Sequence, residues 1–370
     1  LPTVSLPTVS LPTVEVSYRM SRSPSSRPTI SDVARAANVS KATVSRVLSG
    51  NAEYMREQTR DRVLVAIEEL NYRPSSVARS LTSKRTLTAG ILVSDIGNPF
   101  YPEVIRGVED VALNNGYNIF LCNTNYDLER GMAHVRSLVD QQVDGALIMS
   151  STMADEWLLE LAKHDIPAVI LDWEINRSID SALGVIEVDF ERGITEAIDH
   201  LVSLGHQCIA HVCGPLHLHT SRLRYDAFQN AAETLNISQA HITLIEGNLR
   251  IDGGRDALRQ ILALPDRPTA VFAANDLMAM GIVRASRANG LHVPTDLSVI
   301  GLDDIWLVTD MEPPLTTVAL PRYEIGQIAM EMLFELLSRD GSQGAVWHRQ
   351  VETHLTIRQS TAALPSHSKS

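Results

Sequence analysis

Cysteines and aromatic rings are both scarce in this chain. Its 370 residues include only Cys122, Cys208 and Cys213, with no C-x-x-C pair among them, which excludes a disulfide scaffold and a cysteine-held zinc module. Aromatic residues make up 5% of the chain, and no apolar run approaches the roughly 18–20 residues of a membrane span. Signatures of nucleotide and acyl chemistry are missing too: there is no G-x-x-x-x-G-K-[ST] loop, no G-x-S-x-G elbow and no G-x-G-x-x-G fingerprint. With 44% hydrophobic and 21% charged residues, the composition is that of a globular chain and rules out wholesale disorder. The length exceeds what one core supports, so two or three domains are expected.

A net charge of −12 argues at first sight against nucleic acid, but the charge is unevenly placed. Residues 1–85 hold 13 Lys and Arg against 7 Asp and Glu, whereas the other 285 hold 19 against 37. A small basic module on an acidic body can neutralise DNA phosphates while the body stays clear of them. Residues 1–15 repeat a five-residue unit (LPTVS, LPTVS, LPTVE), a period too short for a solenoid and without the basic start of a signal peptide. Residues 1–27 are expected to be a disordered tail, with native translation starting at Met20, the first methionine. Residues 362–370, rich in Ser, His and Lys, are expected to fray.

Inside the basic segment, PTISD reads as a helix start with Thr29 as N-cap and Asp32 as the capping carboxylate. Val33, Ala34 and Ala37 recur at helical spacing, and Asn38 suits the left-handed geometry of a tight turn. Ser40 can cap a second helix whose Val44, Val47 and Leu48 face inward, giving a helix-turn-helix. A third helix over residues 59–70 closes the core through Val63, Ile67 and Leu70. On the polar face of the second helix, Lys41, Ala42 and Arg46 can meet base edges in a major groove, Arg46 pairing with guanine and Ala42 touching a thymine methyl. Ser40, Thr43 and Ser45 carry short hydroxyls suited to phosphates. Thr29 joins them as a DNA-binding candidate, and the partner expected is double-stranded operator DNA.

The stretch TISDVARAANVSKATVSRVLSG, followed by TRDRVLVAIEELNYRPSSVARSLTSKRT, resembles the lactose-repressor (LacI/GalR) family of bacterial transcription regulators, and the likeness runs to about Arg358. It departs from the family between Gly50 and Thr59, where the loop is a residue longer and Arg56 stands for the usual N-cap serine. The resemblance makes residues 28–73 the DNA-binding domain and residues 74–86 a hinge helix and linker. The PSSVARSL run would then order on the operator, with Ser76 and Ala78 at the DNA and Leu81 wedged into the minor groove.

From residue 87 onward, short apolar runs at 88–93, 118–122, 145–149, 168–171, 209–212, 270–273 and 298–301 alternate with amphipathic helices. That alternation predicts an α/β fold with two Rossmann-like lobes over residues 87–361. The resemblance adds a periplasmic-binding-protein-like core with three segments crossing between lobes, and a homodimer with contacts near residues 102–114. Ligands in such sheets collect beyond the strands' carboxyl ends. The polar and aromatic residues there are Asp95, Phe100, Tyr101, Asp172, Trp173, Phe272, Asn275 and Asp303, joined by Arg224, which matches the family's effector-binding arginine. Asp276 reads as a helix N-cap. An aromatic floor with carboxylates and an arginine suits a sugar.

Residues 214–228 and the run RPTAVFAANDLMAMG resemble both ribose-operon and purine repressors, but Leu218 stands where the purine type has an arginine, so a pentose-like monosaccharide is favoured over a purine. His206, His211, His217 and His219 lie close in sequence without matching carboxylate or cysteine spacing, so neither a metal nor another cofactor is expected. The sequence thus points to a cytoplasmic, allosterically controlled, DNA-binding repressor with no membrane span and no enzyme activity. Its alternatives are a sugar-acting enzyme, which the helix-turn-helix disfavours, and a secreted sugar-binding protein, which would need a signal peptide.

Overall fold

A computed structural model describes residues 28–48, 55–73, 85–173, 179, 182–338 and 346–364. Met20, the repeat, the hinge residues Ser76, Ala78 and Leu81, and residues 365–370 lie outside that description. The chain divides into two units, Leu1–Thr82 and Ser83–Ser370.

In the smaller unit, helix α1 (Ile30–Ala36) begins where the Asp32 carboxylate accepts hydrogen bonds from Thr29 N at 2.9 Å and Thr29 Oγ1 at 2.7 Å. Asn38 turns the chain at φ 52°, and Ser40 Oγ accepts from Thr43 N to cap α2 (Lys41–Leu48). Helix α3 (Glu57–Glu69) starts from Arg56, which makes no side-chain cap bond. Val33, Val44 and Val63 are fully buried at the centre, joined by Ala66 and Tyr72, which the helical spacing did not single out. Leu48, expected inside, is 36% exposed because it falls on the last turn of α2, past the reach of α1 and α3.

The larger unit alternates strands and helices. The first sheet is built from β1 (Thr88–Val93), β2 (Asn118–Asn123), β3 (Gly145–Met149), β4 (Ala168–Leu171) and β5 (Leu183–Asp189), with α4 (Phe100–Asn114), α5 (Leu128–Asp140) and α6 (Asp155–Ala162) between them. After α7 (Phe190–Ser203) the chain builds the second sheet from β6 (Ile209–Cys213), β7 (Ile242–Glu246), β8 (Ala270–Ala273), β9 (Ser298–Asp303) and β10 (Thr316–Ala319). Helices α8 (His219–Thr234), α9 (Ile251–Leu262) and α10 (Asp276–Ala288) alternate with these strands. Helix α11 (Arg322–Ser338) then returns to the first lobe, β11 (Val346–Glu352) pairs with β5, and β12 (His354–Thr356) pairs antiparallel with β10.

The orders are β11-β5-β4-β3-β1-β2 and β12-β10-β9-β8-β6-β7, so the chain crosses between lobes three times, after β5, β10 and β11. Apart from the β10–β12 pair, the strand pairings are parallel. Inner strands are accordingly buried on both faces and read as continuous Val/Ile/Leu/Ala runs. Helices α4 and α11 approach until backbone meets backbone. A Cβ on Gly107 would lie 2.1 Å from Tyr323 O, and one on Gly326 would lie 2.0 Å from Val104 O.

The core runs beyond residue 361. Ala362 N donates to Ser298 Oγ at 3.1 Å, its carbonyl contacts the His206 ring, and Leu364 N donates to Leu204 O at 3.0 Å. A tail frayed from residue 362 is therefore corrected, because these backbone groups are bonded to the second lobe. Among the described residues no helix is long and apolar enough to cross a membrane.

Candidate functional site

On the helix-turn-helix, Ser40, Lys41, Ala42, Ser45 and Arg46 are exposed along one side of α2, while Val44 beneath them is fully buried. Ser40 and Thr43 are partly committed already: their hydroxyls lie 2.9 Å apart and Ser40 caps the helix. Thr29 is exposed at the start of α1, its hydroxyl given to Asp32. The arrangement presents a basic, small-residue helix face held by a buried core.

In the larger unit, loops at the carboxyl ends of strands from both sheets converge on one cavity of about 580 Å³, counting its opening to solvent. The sequence candidates Phe100, Tyr101, Asp172, Arg224, Asn275 and Asp303 all line it. Arg224 on α8 is the centre of its electrostatics. Its Nη1 donates to Ala274 O at 2.7 Å, its Nη2 donates to Asp303 Oδ1 at 3.1 Å, and the guanidinium carbon lies 5.0 Å from the Phe190 ring centroid. Its Nε is buried with no hydrogen-bond partner.

Asp303 stands at φ 120° and Asp304 at φ 54°, a backbone turn that aims the Asp303 carboxylate inward. Burial pushes the Asp303 carboxyl up to about 6, against the pull of Arg224 and Arg322. Asp172, also left-handed at φ 49°, accepts from Val188 N at 2.7 Å, and burial raises it to about 7. Tyr101 meets Phe100 edge-on with centroids 5.2 Å apart, its phenol raised by burial.

Asn275 lines the cavity, but its side chain is spent on structure. It is the N-cap of α10, accepting from Met278 N and donating to Leu249 O, both at 2.9 Å. The cap was expected at Asp276, which instead sits at the next position, fully buried, where its two oxygens accept from Thr317 Oγ1 and Ile305 N. Burial and the neighbouring Asp303 raise its pKa to about 7.

Three candidates lie elsewhere. The backbone of Phe272 is central in β8 and its ring is buried in the second-lobe core, 5.8 Å from Phe228. Trp173 packs on His219 and donates to Asp155 Oδ1 at 3.1 Å. Asp95 faces Arg250 outside the lining, 3.4 Å from its Nη2. The four clustered histidines also disperse: His206 bonds Thr269 and Ala362, whereas His211 is buried among rings with both nitrogens unpartnered. Among the described residues no group of three potential metal ligands forms.

Sequence reasoning passed over Tyr126, Ser150, Ser151, Thr220 and Ser221, which also line the cavity. Ser150 and Ser151 follow β3 directly, and Thr220 and Ser221 open α8 beyond the loop after β6, so the strand-end rule already pointed at this region. Tyr126 lies in the loop three residues past β2, and an unusual backbone, φ 59° after Asn125 at φ 53°, is what turns it to the cavity.

A helix-turn-helix and a two-lobed ligand-binding core in one chain define a class: a DNA-binding regulator with a small-molecule site. Residues 29–75 match the bacterial regulatory proteins of the lacI family, and residues 198–361 match a periplasmic binding protein-like domain. The chain is 36% identical over 338 residues to catabolite control protein A of Priestia megaterium, covering 90% of this chain and 99% of that protein. It is 38% identical over 338 residues to the HTH-type transcriptional repressor PurR of Photobacterium profundum, covering 91% and 99%.

The crystal structure of the lac repressor dimer bound to operator and the anti-inducer ONPF superposes with a TM-score of 0.81 at 30% identity, over 91% of this chain and all of that one. A ribose-bound LacI-family regulator from Enterococcus faecium gives a TM-score of 0.67 at 29% identity, over 75% of this chain and 100% of that one. The chain belongs to the lacI family of bacterial regulatory proteins.

Proposed function

We propose that the chain is a cytoplasmic, sequence-specific repressor that binds operator DNA as a homodimer, one α2 per half-site. A small molecule in the interlobe cavity sets its affinity for that DNA. The observation that carries this reading is the cavity itself: a buried Arg224–Asp303 pair, an unpartnered Arg224 Nε and the Phe100 and Tyr101 rings meet at strand ends in a chain that also holds a basic helix-turn-helix. The dispersal of Asp95, Trp173 and Phe272 leaves Phe100, Tyr101, Asp172, Arg224 and Asp303 as the effector contacts, with Asn275 shaping the wall. Lys41, Ala42, Ser45 and Arg46 read the groove, and Thr29, Ser40 and Thr43 set the register on phosphates. A binding role is favoured over catalysis by how the cavity's polar side chains are held: Asp303 by Arg224, Asp172 by Val188 N and Asn275 by Met278 N.

The effector favoured is a pentose or related monosaccharide, whose hydroxyls suit the carboxylates, serines and Thr220 that line the cavity. A purine is the second reading, favoured by the likeness to PurR and disfavoured by Leu218, which is 3% exposed at the N-cap of α8 and gives no hydrogen bond to a purine edge. Calorimetric titration with ribose, other sugars, polyols, guanine and hypoxanthine separates them: binding of a purine alone overturns the sugar reading. DNA binding is tested by mobility shift on promoter fragments of the source genome. Affinity should fall steeply with salt as counterions are released. The effector need change it by only about 1–3 kcal/mol to alter occupancy, and no shift with or without these ligands overturns the assignment.

A further inference from the structure

Two contacts join the lobes through residues that neighbour the cavity lining without belonging to it. On one rim Arg250, the N-cap residue of α9 in the second lobe, donates from Nη2 to Asn125 Oδ1 at 3.1 Å and to Asp95 Oδ2 at 3.4 Å, both in the first lobe. On the other rim the Trp173 and His219 rings lie with centroids 5.1 Å apart. None of these five residues lines the cavity, but the residue following Asn125 does. Asn125 and Tyr126 are successive left-handed residues at φ 53° and 59°, a conformation that Asn tolerates and a bulky ring seldom enters. The double turn sends the two side chains different ways: Asn125 takes the Arg250 guanidinium at the rim, and Tyr126 enters the cavity, where burial raises its phenol.

We propose that Arg250 and Tyr126 form a gate on the cavity, Arg250 latching the loop of residues 123–126 shut and Tyr126 setting how large a ligand is admitted. Because latch and wall ride on the same loop, releasing Arg250 from Asn125 frees the ring that narrows the entrance. The guanidinium bond to Asn125 is charge-assisted but not an ion pair, so it persists in salt that screens the longer contact to Asp95. Built on the cavity being the effector site, the gate adds a specificity rule. A compact ring with hydroxyls on its edge fits behind Tyr126, and a ligand carrying a bulky substituent holds the loop open.

The test needs no ligand. Full-length protein carrying Ser151→Cys, a position that lines the cavity, is treated with N-ethylmaleimide and separately with the much larger fluorescein-5-maleimide, and alkylation is followed by mass spectrometry of peptides. Native Cys208, partly exposed and outside the cavity, is the internal reference for general loosening. Adding Arg250→Ala should speed alkylation of the introduced thiol about three- to tenfold, the scale of one exposed charged contact, and leave Cys208 unchanged. Asn125→Ala should do the same, which separates loss of the latch from a folding defect particular to Arg250→Ala. Tyr126→Ala should speed the fluorescein reagent about tenfold or more and the small reagent far less.

An unchanged rate after Arg250→Ala, an equal rise at Cys208, or equal gains for both reagents after Tyr126→Ala overturns the gate. Since nothing is bound in the assay, failure of the sugar panel and failure of the gate are separate results.

Discussion

Asp303→Ala strands a buried cation. The Arg224 side chain is 11% exposed and that of Asp303 3%, with Nη2 and Oδ1 3.1 Å apart. Removing one partner of such a pair costs about 3–5 kcal/mol, because the remaining charge keeps its desolvation penalty and loses its compensation. Arg224 retains its bond to Ala274 O and its place over the Phe190 ring, the latter worth about 0.5–2 kcal/mol, which sets the expected loss near the lower end, about 3 kcal/mol. Asp303→Asn keeps an acceptor without the charge and should lose about half as much. The double substitution Arg224→Met with Asp303→Leu removes both charges and should fall within about 1–2 kcal/mol of the parent, far less than the sum of the single losses. Urea unfolding followed by circular dichroism at pH 7.5 reads the parent, these three variants and the singles Arg224→Met and Asp303→Leu, comparing midpoints at a common slope. An Asp303→Ala loss below about 1 kcal/mol refutes the buried-pair account, as does a double variant as unstable as the two singles summed.

His211 lies among Phe228, Phe272 and Tyr225 with both ring nitrogens unpartnered and its pKa held down to about 3 by burial, so His211→Phe should stabilise by about 1–2 kcal/mol and raise the melting midpoint; a lower midpoint contradicts it. Asp172 titrates near 7 when folded and near 3.8 when unfolded, so its contribution to stability is complete below about pH 4 and lost as pH rises through 7. Asp172→Asn should therefore flatten the decline of the unfolding midpoint between pH 5 and 8, and an unaltered slope sinks this. Gly107→Ala drives a methyl into the α11 backbone and should cost about 2–3 kcal/mol or more in thermal unfolding, whereas a neutral result removes the close-approach explanation. Arg46→Ala should weaken operator binding by about 1–3 kcal/mol, relax preference at one base pair and leave effector affinity unchanged in calorimetry; equal weakening on every sequence would make Arg46 a phosphate contact instead.

Much of the architecture was legible because it rests on short-range rules. The Thr29–Asp32 pairing, the Asn38 turn, the Ser40 cap and the apolar runs of β1, β3, β4 and β8 are local signals, and the structure places each where the pattern put it. Five strands escaped notice: β5 (LGVIEVD) and β10 (TTVA), buried runs interrupted by Gly, Glu or Thr, and the edge strands β7, β11 and β12. β11 (VWHRQVE) and β7 (ITLIE) lie on or near sheet edges with half their side chains in water, and β12 has three residues. At the cavity, strand-end position named five residues that line it (Phe100, Tyr101, Asp172, Asn275 and Asp303), the family likeness added Arg224, and the same rule also nominated Phe272, which lies in the core. Periodicity cannot tell a ring at a strand's last turn from one a residue earlier that points into the core. Tyr126 stood within reach of the strand-end rule, but its turn towards the cavity depends on backbone dihedrals, and Arg250 follows the unrecognised β7 and makes its contact 125 residues away.

The turn at Asp303 ties these features together. Its carboxylate takes Arg224, its carbonyl takes Arg322 Nη1, and Arg322 Nη2 lies 3.4 Å from Glu103 on α4, the first-lobe helix that also carries Phe100 and Tyr101. Asp304 holds Arg358 at 2.6 Å, and Ile305 N is held by the buried Asp276. Two residues with φ of 120° and 54° cost about 1–3 kcal/mol each and persist only because so many bonds over-determine them. A ligand oxygen that competes with Asp303 for Arg224 therefore acts on a strained element bonded to both lobes, and even a small displacement there is resisted by rigid packing on each side. That connectivity is how a cavity with so few charges can bear on the first lobe: the residue whose carboxylate lines the cavity beside Arg224 also gives its backbone carbonyl to the Arg322 joint between the lobes.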